Sequence, residues 1–233
     1  MDIISIIITH WSQNEFRSET MRKCLNSVIE TTKHLPVEII VVDNGDNLED
    51  SQGLLGWVHN KKIHHYIRNS ENLYFGWARN LGYQISSGNY LVFSDNDIEY
   101  KEGWLDKGLK ILKAFPDKKI AFTPLKTDRQ HRHADYWRGE LELEGEKFLL
   151  NIRAGSNSWL IRRKDFEEIG LFRNHKIAGT KWTDNFVNAG YEMVTMENNS
   201  LATDIGFKQG YDFRKDVELA KVFANGEKLI INN

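Results

Sequence analysis

The sequence predicts an α/β domain with a mostly parallel central sheet flanked by helices, and three observations predict it. Apolar runs such as Ile-Ile-Ser-Ile-Ile-Ile-Thr at residues 3–9 show no polar alternation, as in strands buried on both faces. The segments between such runs repeat apolar residues at helical spacing. Strand, helix and strand follow one another within the first 42 residues, a unit that requires parallel pairing and a right-handed crossover.

The elements follow in order. After the strand at 3–9, residues 19–34 set Met21, Leu25, Val28 and Ile29 on one helical face, and Pro36 stops the helix. Residues 37–42 are a second buried strand that runs into Asp43-Asn44-Gly45. A short strand at 62–67 precedes a helix at 75–86 closed by Gly88, and Tyr-Leu-Val-Phe-Ser at 90–94 is the next strand, ending at Asp95. Residues 104–115 hold Leu105, Leu109, Leu112 and Phe115 in helical register before Pro116, and 120–123 are strand-like. Residues 126–147 lose periodicity and gain charge and histidine, so a surface excursion is expected there. Strand-like alternation returns at 148–161, a short helix at 163–169, a helix at 182–189 capped by Gly190, and a strand at 191–197. No repeat, low-complexity segment or linker interrupts the chain.

Composition excludes several classes of function. Lys and Arg number 31 against 33 Asp and Glu, a net charge of −2, so no basic excess points to nucleic acid. The chain enters a strand without a leader-like segment, and no apolar stretch approaches the roughly 20 residues that span a bilayer. A cytoplasmic protein without a transmembrane segment is expected, with peripheral contact to a membrane-bound acceptor still open. The single cysteine, Cys24, reads as a small buried hydrophobe on a helix in a reducing compartment. Seven Trp and eight Tyr suit sugar-ring stacking as well as cores.

In open parallel sheets ligands bind beyond the carboxyl ends of the strands. Three predicted strands end there in polar groups: Thr9, Asp43-Asn44 and Asp95-Asn96-Asp97. Asp95 and Asp97 lie one residue apart, and two close carboxylates repel unless a cation or proton sits with them. Hard oxygen ligands of this kind favour Mg2+ or Mn2+, which in turn hold a diphosphate. Alone, the D-x-D triplet is an ordinary acidic turn. Its place after a buried strand makes it a metal–diphosphate candidate.

Four segments, in order, carry a resemblance: Ser5-Ile-Ile-Ile-Thr9, Val41-Val-Asp43-Asn-Gly45, Asn72-Leu-Tyr-Phe-Gly76-Trp-Ala-Arg79-Asn80-Leu-Gly82, and Leu91-Val-Phe-Ser-Asp95-Asn-Asp97. Together they resemble family 2 glycosyltransferases of the GT-A fold across residues 1–100, with a weaker echo over 160–172. Two departures stand out: Asn72-Leu-Tyr74 replaces the family's Asn-x-Gly, and His10-Trp11 replaces its Tyr-Asn.

The resemblance implies one GT-A domain over residues 1–233, with a nucleotide-sugar-binding half (1–100) and an acceptor-binding and catalytic half (101–233). It implies inverting transfer from a nucleotide-diphosphate sugar, UDP- or dTDP-sugars favoured, to a hydroxyl of a glycan or lipid-linked acceptor. Mn2+ or Mg2+ is expected on the diphosphate. By position, Thr9, Trp11, Asp43, Asn44, Arg79, Asn80, Asp95 and Asn96 are expected to line the donor. Asp43 suits the N3–H of uracil or thymine, and Arg79 a base or phosphate. Asp95 and Asp97 are the expected metal ligands, with Asp204 replacing a histidine that many members carry after the last main strand. Asp184 is the expected general base, as the one carboxylate in a segment similar to the catalytic helix. It is expected in that helix's first turn, where the dipole favours a carboxylate. Trp159 and Trp182 are candidate acceptor platforms, and the excursion holding His131, His133, Asp135 and Trp137 a candidate acceptor loop.

Two rivals have distinct signatures. A sugar nucleotidyltransferase calls for a Gly-rich phosphate loop after the first strand, and residues 9–15 hold no Gly. A non-catalytic nucleotide- or carbohydrate-binding domain is favoured by the displacement of Asp184 from the family's usual base position.

Overall fold

The structure is a computed structural model that describes residues 2–12, 14–45, 48–125, 137–152, 157–172, 178–196 and 199–208. Isoleucine and valine set its centre. β1 (Ile4–His10) buries every residue and β2 (Val37–Asp43) all but its first, so both faces of the sheet meet apolar layers. β1 pairs in parallel with β2 on one side and with β4 (Tyr90–Asp95) on the other. That register sets His10 opposite Asp43 and Thr9 opposite Asp95, which fixes three strand ends at one edge. β3 (His65–Arg68) extends the parallel set beyond β2.

Beyond β4 the sheet becomes mixed. β6 (Ile120–Thr123), β7 (Trp137–Leu143), β8 (Glu146–Asn151), β9 (Ser158–Arg162) and β10 (Glu192–Met196) complete nine strands in the order β3-β2-β1-β4-β9-β6-β10-β8-β7. β9 runs antiparallel to both β4 and β6, and β8 antiparallel to β10 and β7. β5 (Ile98–Tyr100) and β11 (Ala202–Asp204) form a separate antiparallel pair.

Helices cover both faces. α1 (Glu15–Thr32), α2 (Leu48–His59) and α4 (Trp104–Ala114) supply Cys24, Leu25, Leu54, Trp104 and Leu112 to one core layer, against Ile4, Ile6 and Ile8. α3 (Tyr74–Ile85), α5 (Arg163–Ile169) and α6 (Ala178–Asn188) supply Ala78, Phe166, Trp182 and Phe186 to the other, against Ile7, Phe93 and Trp159. A four-residue helix, α7 (Ile205–Lys208), follows β11.

The structure departs from the sequence expectations in places with physical causes. α1 begins at Glu15 rather than at 19, because Asn14 caps it: the Asn14 side chain accepts from the Arg17 amide at 3.0 Å. α2, whose apolar spacing is broken by Gly53 and Gly56, and the three-residue β5 had no counterpart in the sequence reading. Residues 148–161 are two strands, not one. The expected excursion is a correction: residues 137–151 form a β7–β8 hairpin turned by Glu144 and Gly145, with φ of 52° and 79°. Residues 126–136, with His131, His133 and Asp135, lie outside the described residues.

Candidate active site

α3 is seated directly on β1, because a Cβ at Gly82 would stand 2.4 Å from Cγ2 of Ile7. This close approach carries Arg79 down to the end of β4. Arg79 is fully buried, its Nη2 donates to Asp95 Oδ1 at 2.8 Å, and the rings of Phe75, Phe172 and Trp159 stand 4.9, 5.6 and 5.8 Å from its guanidinium. A charge removed from water needs a partner, and its partner is Asp95. Arg79, expected to line the donor, is here the internal counter-charge of the D-x-D motif. Burial pushes the Asp95 carboxyl up to about 6; Arg79 opposes this, and the nearby Asp97 and Asp204 add to it.

Asp97 follows in the turn to β5. Its Oδ2 accepts from Arg17 Nη1 at 3.0 Å, and its backbone oxygen accepts from the Ile205 amide at 2.9 Å. The pairing of β11 with β5 sets Asp204 opposite Ile98 and so brings it back to the same edge. Asp204 accepts from Asn157 Nδ2 at 3.0 Å and from the Gly206 amide at 3.1 Å. A Cβ on Gly206 would stand 2.5 Å from Asp97 Oδ2, so glycine lets α7 approach the carboxylate. Asn157 also accepts, through its backbone oxygen, from the Asp95 amide at 2.7 Å. Arg17 and Asn157 were missed by sequence reasoning: one sits in a helical turn and one before a strand, and neither lies in a recognisable motif. Beneath the motif, the Cys24 thiol donates to the Asp95 backbone oxygen at 3.6 Å, and burial pushes its pKa up to about 12, as suits a hydrophobe.

On the β2 side several residues expected to line the donor also tie the framework. Asp43 is wholly buried; its Oδ2 accepts from Ser51 Oγ and Tyr66 OH, both at 2.5 Å, and its Oδ1 from the Gly45 amide at 3.2 Å. Asn44 donates to Asn72 Oδ1 at 2.8 Å and accepts from Asn69 Nδ2 and the Leu73 amide, each at 3.0 Å. Asn80 brackets Phe172, donating to its oxygen at 2.7 Å and accepting from its amide at 3.0 Å. Asn96 pairs with His10 Nδ1 at 2.7 Å. Buried polar groups require such partners, and these tie the loops that frame the edge. Thr9 is buried opposite Asp95, and Trp11 is half-buried just beyond β1.

The acceptor-side expectations are corrected more sharply. Trp159 and Trp182 are each 2% exposed and stack on one another at 4.4 Å, with Phe172 against both, so neither presents a face to a sugar. Asp184 is not in the first turn of its helix, which starts six residues earlier at Ala178. It lies two positions from both buried Trp182 and Phe186, on the side of α6 turned from the core.

Among the described residues, no group of three His, Cys, Asp or Glu side chains is placed to hold a metal ion by itself. The donor set fits a hard divalent cation whose coordination a diphosphate completes: Asp95 and Asp97 offer oxygens, and Asp204 stands close enough to raise Asp95's pKa.

The pattern of glycosyl transferase family 2 matches residues 5–170, a span that contains all of β1 but its first residue, β2, β4 and the D-x-D turn. The chain belongs to glycosyltransferase family 2. Glycosyltransferase AglE of Haloferax volcanii is 25% identical over 204 residues, covering 83% of this chain and 64% of that protein. A mannosyltransferase of Pyrobaculum calidifontis, solved with GDP-Man and Mn2+, superposes with a TM-score of 0.67 at 15% identity, over 89% of this chain and 58% of its own. GalNAc-T7, solved with UDP, GalNAc and Mn2+, gives 0.64 at 16% identity, over 84% of this chain and 42% of its own. These likenesses show the fold, which is GT-A. The chain spans 26% and 64% of the length of the first two curated relatives it matches. Among the described residues, no helix of this family 2 chain is long and apolar enough to cross a membrane.

Proposed function

We propose that this family 2 chain transfers a sugar, with inversion, from a nucleotide-diphosphate sugar to a hydroxyl of a glycan or lipid-linked acceptor. The observation that carries the reading is the gathering of Asp95, Asp97 and Asp204 at the carboxyl edge of β4, with Arg79 paired behind Asp95. Asp95 and Asp97 would hold Mn2+ or Mg2+, with Asp204 beside them; the Mn2+ in both related structures supports the metal. When bound, the cation takes up the negative charge that develops on the departing diphosphate. A UDP-sugar is the first donor class, as UDP is present with GalNAc-T7; dTDP-sugars and GDP-mannose are its competitors.

The chain's own residues perform the rest. Arg79 holds Asp95 Oδ1 in place, and Asn96 is fixed by His10, so the backbone of the turn is set before the cation arrives. In a single displacement the acceptor oxygen bonds to the anomeric carbon as the bond to the diphosphate breaks. The hydroxyl proton passes to a carboxylate base, which we assign to Asp184 on α6.

The test is a panel of UDP-, dTDP- and GDP-sugars with Mn2+, read by thermal shift and donor hydrolysis. A rise in Tm that requires both metal and nucleotide is expected; no stabilisation by any nucleoside diphosphate overturns the reading. Asp97→Ala is expected to remove the metal dependence of UDP binding. Asp184→Asn is expected to keep UDP binding and lose transfer, and unchanged transfer would assign the base elsewhere. Metal-dependent binding without turnover in the unaltered chain would identify a non-catalytic binding domain.

A further inference from the structure

Arg17 and Asp97 form an ion pair at the acidic edge that a cation bound to Asp97 would disturb. Arg17 Nη1 lies 3.0 Å from Asp97 Oδ2, and the two side chains are only 12% and 16% exposed, which separates this pair from ordinary surface ion pairs. The same Oδ2 is confined on another side by the Gly206 backbone, where a Cβ would come within 2.5 Å. Arginine and glycine thus bound the approach to this oxygen. Arg17 is also oddly placed for a structural cation. It occupies the first turn of the 18-residue α1, three positions after the Asn14 cap, where the helix dipole favours anions and disfavours a positive side chain.

We propose that Arg17 is a mobile counter-ion: it neutralises Asp97 in the metal-free protein and moves to the donor's diphosphate when a divalent cation takes Asp97. The inference rests on the metal–diphosphate reading above. A planar guanidinium suits this exchange, because carboxylate and phosphate oxygens present it with the same paired acceptors. The start of α1, with its unsatisfied amides, favours the incoming negative charge. Cation alone must break the Arg17–Asp97 pair, a cost that weakens its binding. Cation together with nucleoside diphosphate gives the guanidinium a new anion in exchange, so each strengthens the other. Arg17 is by this argument a positioning residue for the metal and a binding residue for the diphosphate.

The experiment titrates Mn2+ alone, followed by the electron paramagnetic resonance signal of free Mn2+, and then UDP at saturating Mn2+. It compares the unaltered protein with Arg17→Gln, Arg17→Lys and Asp97→Asn, each checked by circular dichroism and thermal melting. For Arg17→Gln, affinity for Mn2+ alone is expected to rise and affinity for UDP with Mn2+ to fall, each on the order of tenfold, within the usual range for coupled sites. Arg17→Lys, which keeps the charge without the fork, is expected to restore part of both. Unchanged or weaker Mn2+ binding by folded Arg17→Gln and Arg17→Lys overturns the exchange. Asp97→Asn separates the two ideas: if it leaves Mn2+ binding intact, the metal reading itself falls, whereas its loss of Mn2+ alongside an indifferent Arg17→Gln removes only the role of Arg17.

Discussion

At Asp95, burial and the neighbouring Asp97 and Asp204 work against Arg79 and Arg17, and the balance leaves the carboxyl changing charge near pH 6 in the metal-free protein. The sign of the consequence follows from the direction of the shift. A raised pKa means the carboxylate is ionised above about 6 and protonated below it. Proton and cation compete for the same oxygens, so acid must weaken metal binding. Mn2+ affinity is therefore expected to be level above pH 7 and to fall about tenfold per unit below pH 6 for each proton displaced. A Mn2+ titration repeated across that range checks it, and a flat profile would remove Asp95 from the ligand set. Arg79 is the larger of the two opposing charges in this balance, with Arg17 beside it.

The connection between β3 and α3 shows how an element can be held at some cost. Tyr74 opens α3 with φ of +63°, a left-handed backbone that disfavours any residue with a Cβ. Asn72 enforces it: its Oδ1 accepts from the Tyr74 amide and from Asn44 Nδ2, both at 2.8 Å, tying the turn to the end of β2. The family pattern carries glycine here, so the sequence departure has a backbone consequence. Tyr74→Gly is expected to stabilise the fold by about 1 kcal/mol, less the entropy that glycine adds to the unfolded chain. Urea denaturation measures it. A net loss would mean that contacts of the tyrosine ring outweigh the strain.

Across the whole molecule, the sheet is covered by two apolar layers, and the aromatic one also supports the acidic edge. Phe93, Trp159, Phe166, Phe172 and Trp182 each lie within 6.0 Å of at least three of the others, and Trp159 and Phe172 adjoin Arg79. The Trp182 ring also donates to the Gly170 oxygen at 2.8 Å, closing α5 against α6. Trp182→Ala is expected to cost roughly 3–5 kcal/mol of unfolding free energy, as for other large-to-small changes in a core. A loss under about 1 kcal/mol would show that α6 is peripheral to the cooperative unit.

The sequence by itself determined the strands that matter most. The isoleucine and valine runs of β1, β2 and β4 are local patterns, and they delivered Thr9, Asp43 and Asp95 to one edge in the positions the structure shows. Pro36, Pro116 and the apolar spacing before them marked α1 and α4 for the same reason. What only the tertiary structure decided is who partners whom. Arg79 pairs with Asp95 across 16 residues and Arg17 with Asp97 across 80, while Asp43, Asn44 and Asn80 turn inward to hold loops. Trp159 and Trp182, equally suited by chemistry to a sugar or a core, became core when β9 and α6 were packed face to face. Periodicity depends on near neighbours in the chain and is written there. Burial and ion pairing depend on which distant segments meet, and that is fixed only when the layers close on the sheet.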